Sequence, residues 1–134
     1  MKIKNALLAI VTLLAIASAG QTMAGPDAGA YLGTIIVYRP CTPFGYLFDN
    51  LEFNLNHGPG IMLRNGTYYR LTVLPGNSII SHDDILIDND PQTVHVEPGQ
   101  TVYFEYAVEL TLIFEVATNQ EQAAITVSKL QPVN

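Results

Sequence analysis

An acidic segment in the second half of the chain holds the residues that come closest to a metal site. Three residues separate the segment His82 to Asp84 from the segment Asp88 to Asp90, so several oxygen ligands lie on two neighbouring predicted turns. Carboxylate and amide oxygens are the ligands that calcium prefers. The candidate ligands of a weak calcium site are Asp84, Asp88 and Asp90. The segment lacks the Gly-containing loop and distant Glu of a dedicated site, and solvated turn residues are the alternative interpretation.

The histidines and serines do not have the spacing of a known catalytic or zinc motif. Among the three histidines only His95-x-Glu97 has ligand-like spacing, and two ligands on one strand face do not make a zinc site. The serines lie in no Gly-x-Ser-x-Gly turn. We therefore predict no cofactor and no catalysis. The alternative is an envelope hydrolase whose carboxylates, around His82 to Asp90, are brought together by the fold.

Two tyrosines fall on the polar faces of their predicted strands. Tyr68 is followed two residues later by Arg70, and Tyr103 is followed in the same way by Glu105. If the two strands are neighbours, the four side chains form an aromatic, hydrogen-bonding patch that suits a sugar ring or a peptide. The chain has no Trp, which disfavours a sugar. Cross-strand pairing that only stabilises the sheet is the alternative.

The elements that must position these residues have the pattern of β-strands. Apolar and polar residues alternate in runs such as Leu51 to Leu55 and Val102 to Val108, whereas Ile35 to Tyr38 is continuously apolar, as in a strand covered on both faces. Asn65-Gly66 and Pro98-Gly99 are turn dipeptides, and they predict hairpins. We also predict a bend or bulge that divides one long strand after Val108, one helical turn over 119–124 and a closing strand over 125–130.

These short strands predict an all-β fold. About eight strands with frequent turn signals are typical of an antiparallel β-sandwich, in which two sheets pack face to face; a small β-barrel is the alternative. No long amphipathic helix or repeat is evident in the sequence.

The first residues have the pattern of an export signal. Lys2 and Lys4 supply a positive end, the stretch from Ala6 to Ala17 is apolar except for Thr12, and small residues permit cleavage after Ala19 or Ala24. The apolar run is shorter than the roughly 20 residues that cross a bilayer. We predict a signal peptide over 1–24, a flexible mature N-terminus over 25–29 and a single β-sandwich domain over 30–134.

The predicted mature chain is acidic and carries no lipidation site. The signal contains two of the six basic residues and none of the twelve acidic ones, so the mature net charge is −8. This charge excludes nucleic acid as a partner, because the surface cations are at most Arg39, Arg64, Arg70 and Lys129. No Cys stands at the cleavage region to carry a lipid. We expect a soluble, periplasmic or secreted protein without a membrane anchor.

Cys41 is the one cysteine, so no disulfide can form within the chain. It lies between Pro40 and Pro43 in a predicted turn. We interpret it as a small residue packed beneath a loop, and the alternative is an intermolecular disulfide or a reactive thiol.

The strand and turn motifs together resemble a family of exported bacterial proteins. The segments that carry the resemblance are Ile36 to Pro40, Leu63 to Tyr69, Val73 to Gly76 and Val96 to Phe104. They resemble domain-of-unknown-function family 2846, over about Ala30 to Leu130. Many members look like lipoproteins, and this chain departs from them because it lacks the lipidation Cys. The resemblance implies an exported β-domain and implies no activity or catalytic residues.

We therefore predict an exported, non-catalytic binding or structural module of the bacterial cell envelope, with an envelope protein or a glycan as its partner. A further alternative to the hydrolase is an assembly protein that adds an unpaired edge strand to a partner's sheet. Ile79 to Ile80 and Ile125 to Val127 are the candidate edge strands.

Overall fold

Two β-sheets face each other across a shared core. The computed structural model describes residues 31–43, 45, 51–82, 90–108 and 112–133. The predicted signal peptide and mature N-terminus lie outside them. The described strands are β1 (Gly33–Tyr38), β2 (Leu51–Leu55), β3 (Ile61–Leu63), β4 (Thr67–Val73), β5 (Gly76–His82), β6 (Gln92–Val96), β7 (Thr101–Val108), β8 (Leu112–Val116) and β9 (Gln131–Pro132), and the described helix is α1 (Gln120–Val127). The predicted β-sandwich is confirmed.

One sheet has five strands and the other has four. The five-stranded sheet has the order β8-β7-β1-β4-β9, and the four-stranded sheet has the order β3-β2-β5-β6. The core between them contains the alternate residues that the sequence pattern predicts, such as Val94 and Val96 on β6 and Phe104 on β7, all almost fully buried. His95 between the two valines is exposed. The two-residue period thus places each side chain correctly.

The two predicted hairpins are wrong in their pairing, although the turns themselves form. Gly66 has a φ of 76° and Gly99 a φ of 74°, as glycines at the third position of type II turns do. Each turn, however, carries the chain from the four-stranded sheet to the five-stranded one, from β3 to β4 and from β6 to β7. A turn dipeptide fixes the local change of direction, and it does not determine which strand becomes the hydrogen-bonded neighbour.

These crossings also produce parallel pairings within the predicted antiparallel sheets. β1 pairs with β7 in parallel, and β4 pairs with β9 in the same way, whereas the other pairings are antiparallel. Two strands of one sheet that are connected through the other sheet can run in the same direction, whereas the strands of a hairpin must run in opposite directions. β1 therefore lies between an antiparallel and a parallel neighbour, and its predicted position as a covered central strand is confirmed.

The long alternating run after Pro98 reverses direction. β7 and β8 form an antiparallel pair in which Tyr106 lies opposite Phe114 and Phe104 opposite Val116. The predicted bend or bulge is therefore wrong. In every pair the two residue numbers are both even or both odd, so residues on the same face keep the same two-residue alternation before and after the reversal. The sequence pattern therefore does not distinguish a reversal from one continuous strand.

The predicted C-terminal strand is also wrong, because Ile125 to Val127 belongs to α1. Asn119 caps this helix by accepting a hydrogen bond from the backbone N–H of Gln122 at 2.9 Å. Ala123 and Val127, one helical turn apart, are buried against the five-stranded sheet. Ile79 to Ile80 is no edge either, since β5 lies between β2 and β6. Neither segment proposed for edge-strand assembly is available for pairing.

Gln120 fastens the start of α1 to β7. Its side-chain amide accepts from the backbone N–H of Tyr103 at 2.8 Å and donates to the backbone oxygen of the same residue at 3.0 Å. It also donates to the Ala117 oxygen at 2.8 Å. The amide thus continues the backbone pairing beyond the end of β8 and positions the helix over the sheet.

Candidate functional site

The outer face of the five-stranded sheet is covered by α1. Ile36 and Tyr38 of β1 form a second buried cluster with Ala123 and Val127 of the helix, and further small and aromatic residues pack around it. Tyr68 and Tyr103 are among these residues, and both are half-buried. The predicted polar face is therefore an interior surface over much of its area.

The four residues of the predicted aromatic patch share this face and do not form one open surface. β1 separates β4 from β7, so Tyr38 lies in register with Tyr68 on one side and with Glu105 on the other. Ile36 lies between Arg70 and Tyr103 in the same way. Tyr68 and Tyr103 contact the helix cluster, Arg70 is exposed, and Glu105 lines a cleft beside the helix.

We call this feature the helix–sheet cleft. It has a volume of about 300 Å³, and its lining residues are Tyr38, Pro40, Glu105, Ala117, Thr118, Asn119, Gln122, Ala123 and Thr126. Strands β1 and β7 contribute Tyr38 and Glu105, and α1 with the loop before it contributes most of the others. A concave site with a few convergent polar groups and small apolar walls is typical of small-ligand binding.

Two hydroxyl protons of the cleft already have acceptors. The Tyr38 hydroxyl donates a long hydrogen bond of 3.5 Å to Glu105 Oε2. The Thr126 hydroxyl donates to the backbone oxygen of Gln122 at 3.0 Å. Each oxygen retains lone pairs that can accept from a ligand, and the ionised carboxylate of Glu105 is an acceptor only. These three groups therefore favour a ligand that donates hydrogen bonds.

The position of Tyr38 also changes its acidity. Burial raises the pKa of Tyr38 above its ordinary value of 10.0, and the negative charge and hydrogen bonding of Glu105 raise it further. The phenol thus keeps its proton, and its hydrogen bond to Glu105, far into the alkaline range.

We expect Tyr38 to make the protein less stable at high pH. Above pH 10 the phenol ionises in the unfolded chain while it stays protonated in the folded one, so the free energy of unfolding falls as pH rises. The measurement is denaturant unfolding at pH 8 and pH 11 for the native protein and for Tyr38→Phe. The variant should lose less stability between the two pH values. Equal losses in the two proteins would contradict the raised pKa.

The predicted acidic site is only partly within the described residues. Asp84 and Asp88 lie outside them, and Asp90 is exposed just before β6. Asp90 and the buried His82 line a second cavity of about 390 Å³ between the edges of β6 and β8. The His82 ring contacts Phe114 edge-on at 4.5 Å and lies 5.7 Å from the ring of Tyr106.

His95 and Glu97 bond to each other on the exposed face of the four-stranded sheet. His95 Nε2 lies 2.8 Å from Glu97 Oε1, and His95 Nδ1 lies 2.8 Å from Asn77 Oδ1. Both side chains are mostly exposed. Among the described residues no group of three or more His, Cys, Asp or Glu side chains is arranged to hold a metal ion. Within that part of the chain this pair has no third ligand.

The predicted packing of Cys41 beneath a loop is wrong, because the side chain is exposed. The neighbouring loop is fastened by Asn65 instead. Its side-chain oxygen accepts from the Thr42 backbone N–H at 3.1 Å, and its amide nitrogen donates to the Thr42 oxygen at the same distance. That nitrogen also lies 3.8 Å from Cys41 Sγ.

Glu105 is the predicted site residue that lines the helix–sheet cleft, and Tyr38 is the residue that sequence reasoning missed. Tyr38 ends a continuously apolar run, which indicates a core residue, and it is indeed only 4% exposed. The predicted helical turn over 119–124 forms the start of α1, and the prediction of a strand from 125 onward misses the continuation of the helix to Val127. Asn119 with Gln122 three residues later is a helix-start pattern, which marks where the helix begins and does not indicate how far it extends.

The fold and the cleft define the chain as a β-sandwich with a helix packed on one sheet. The chain matches no protein-family model, and no curated protein matches it. The resemblance to domain-of-unknown-function family 2846 therefore stays a prediction. Over the described residues no helix is both long enough and apolar enough to cross a membrane.

Proposed function

We propose that this chain is an exported, non-catalytic binding module of the bacterial cell envelope, and that the helix–sheet cleft is its binding site. The single observation that supports binding is the cleft itself, where Tyr38 and Glu105 meet the polar residues of α1 and its preceding loop. Export is supported by the signal-like pattern of residues 1–24. Its partner is a glycan or an envelope protein that presents a small polar group to the cleft.

The experiment is two-dimensional NMR of the exported form of the protein with small polar envelope components, including sugars, amino sugars and amino acid derivatives. Binding in the cleft predicts shifts of the amide signals of Ala117, Thr118 and Gln122. Thr118→Trp should abolish these shifts, because a large ring at this exposed lining position closes the cleft. Glu121→Trp is the matched control, since Glu121 is exposed on the same helix and does not line the cleft.

Shifts that persist in Thr118→Trp would remove the cleft from the proposal. Recovery of the protein only from the cytoplasm, with residues 1–24 still attached, would contradict export.

A hydrolase centred on His82 is the second candidate function. The observation that favours it is that His82 and Asp90 line one cavity, because histidine and carboxylate side chains are common general bases. His82 packs edge-on against Phe114, so a substitution there also disturbs the core. Asp90→Asn is the better variant, since Asp90 is exposed. Hydrolysis of envelope glycan or peptide substrates that Asp90→Asn abolishes would favour this function over binding.

A further inference from the structure

We infer that the ligand of the helix–sheet cleft carries a primary ammonium group that donates hydrogen bonds to Glu105. This inference rests on the proposed binding function and names the class of ligand. A primary ammonium carries a positive charge and three donors, so it complements the carboxylate of Glu105, which only accepts.

The charges around the cleft favour a cation. Glu105 is the one carboxylic acid among the described lining residues, and none of those residues is Lys, Arg or His. The chain as a whole carries a formal net charge of −6. An anionic ligand would meet repulsion from Glu105 and from the surrounding field, whereas an ammonium group would be attracted by both.

The hydrogen-bond inventory of the cleft points the same way. The Tyr38 proton is directed to Glu105 and the Thr126 proton to the backbone of α1, so each oxygen retains lone pairs that can accept from a ligand. The phenol of Tyr38 is protonated across the physiological pH range, so this arrangement persists there. A neutral polyol can donate to the same atoms, but it lacks the positive charge that the carboxylate of Glu105 attracts.

The pairing of β7 with β8 gives a bound cation a second way to stabilise the folded protein. Glu105 lies directly opposite Glu115 in this antiparallel pair. Like charges at directly opposed positions destabilise a sheet. An ammonium group bound at Glu105 would offset this repulsion, so binding should also raise the thermal stability of the protein.

The test uses matched pairs of probes in the NMR titration of the exported protein at pH 7. Each pair consists of an amine and a neutral analogue: glucosamine with glucose, ethanolamine with ethylene glycol, and alaninamide with lactamide. We expect each amine to bind about tenfold more tightly than its analogue, as a charge-assisted hydrogen bond does relative to a neutral one. The tightest amine distinguishes an amino sugar, a lipid headgroup and a peptide terminus as the source.

Glu105→Gln should reduce the preference for amines to less than about threefold, because it keeps the shape of the side chain and removes its charge. Glu52→Gln removes the same charge from an exposed position on β2, outside the cleft, and should leave the preference unchanged. Equal binding of amines and neutral analogues, with shifts of the cleft amides, would overturn the ammonium inference and leave the binding function standing. If no probe shifts these amides, the binding site itself is wrong.

Discussion

Arg39→Met should lower the free energy of unfolding by about 3 to 5 kcal/mol, because two buried carbonyl groups lose a charged donor. Arg39 is only 1% exposed, which makes it one of the most deeply buried large side chains among the described residues. Its guanidinium donates to the Gly45 oxygen at 2.6 Å and to the Leu63 oxygen at 3.1 Å. The side chain thus joins the loop after β1 to the end of β3, across the two sheets.

A second variant separates two causes of this loss of stability, the missing charge and the missing geometry of the donors. Arg39→Lys keeps the charge but replaces a planar fork of donors with a single ammonium group, which cannot reach both carbonyls equally well. We expect this variant to lose about 2 kcal/mol, since one of the two hydrogen bonds is retained. Arg70→Met is the control, because Arg70 is exposed and its substitution should change stability by less than about 0.5 kcal/mol.

The measurement is denaturant unfolding followed by circular dichroism, with the free energy extrapolated to zero denaturant. Folded domains are stable by only about 5 to 15 kcal/mol, so Arg39→Met should be visibly less stable at ordinary temperatures. If Arg39→Met loses no more stability than Arg70→Met, the guanidinium does not hold the loop and β3 together.

Arg39 also marks a limit of prediction from sequence. Composition alone assigns an arginine to the surface, and Arg39 is buried, so the predicted set of surface cations loses one member. The carbonyl groups that accept its hydrogen bonds belong to residues 6 and 24 positions away. No local pattern reports such partners, because they are brought together only by the crossing of the chain between the sheets.

The period of two predicted which residues face the core between the sheets, since it depends only on neighbouring side chains. It also predicted the inward faces of β6 and β7 without any knowledge of their partners. It did not predict the pairing, because Asn65-Gly66 and Pro98-Gly99 have the same dihedral preferences in a hairpin and in a crossing between sheets. Pairing is a property of the whole chain.

The candidate site could be predicted only in part for the same reason. Glu105 is a predicted site residue because it follows Tyr103 by two residues on the same face of one strand. Tyr38 has the sequence pattern of a core residue. Its side chain is buried, but its hydroxyl donates a hydrogen bond to Glu105. The cleft that Tyr38 and Glu105 form with α1 could not be predicted without the full helix, and the β-branched residues Ile125 to Val127 favour a strand. Packing of Ala123 and Val127 on the sheet outweighed that preference.

Gly33→Ala should destabilise the protein by about 2 to 3 kcal/mol through a clash between the two sheets. Gly33 begins β1 in the five-stranded sheet and faces the end of β6 in the other. A Cβ atom at position 33 would overlap Val96 Cγ1, and it would lie 3.2 Å from Val96 Cβ and 3.5 Å from the Glu97 oxygen. Val96 is fully buried and its branched side chain has few alternative rotamers, so it cannot move aside at low cost.

The decisive measurement is a double-mutant cycle, because shortening Val96 restores the space that the new methyl group needs. Val96→Ala alone should cost about 2 kcal/mol for the cavity that it leaves. The double variant should cost much less than the sum of the two, with a coupling of at least about 1.5 kcal/mol. Val94→Ala is the control, because Val94 is also almost fully buried on β6 and none of its atoms is among those nearest to a Cβ atom at position 33. Additive losses for Gly33→Ala and Val96→Ala would show that the cost at position 33 lies in the backbone and not in this contact between the sheets.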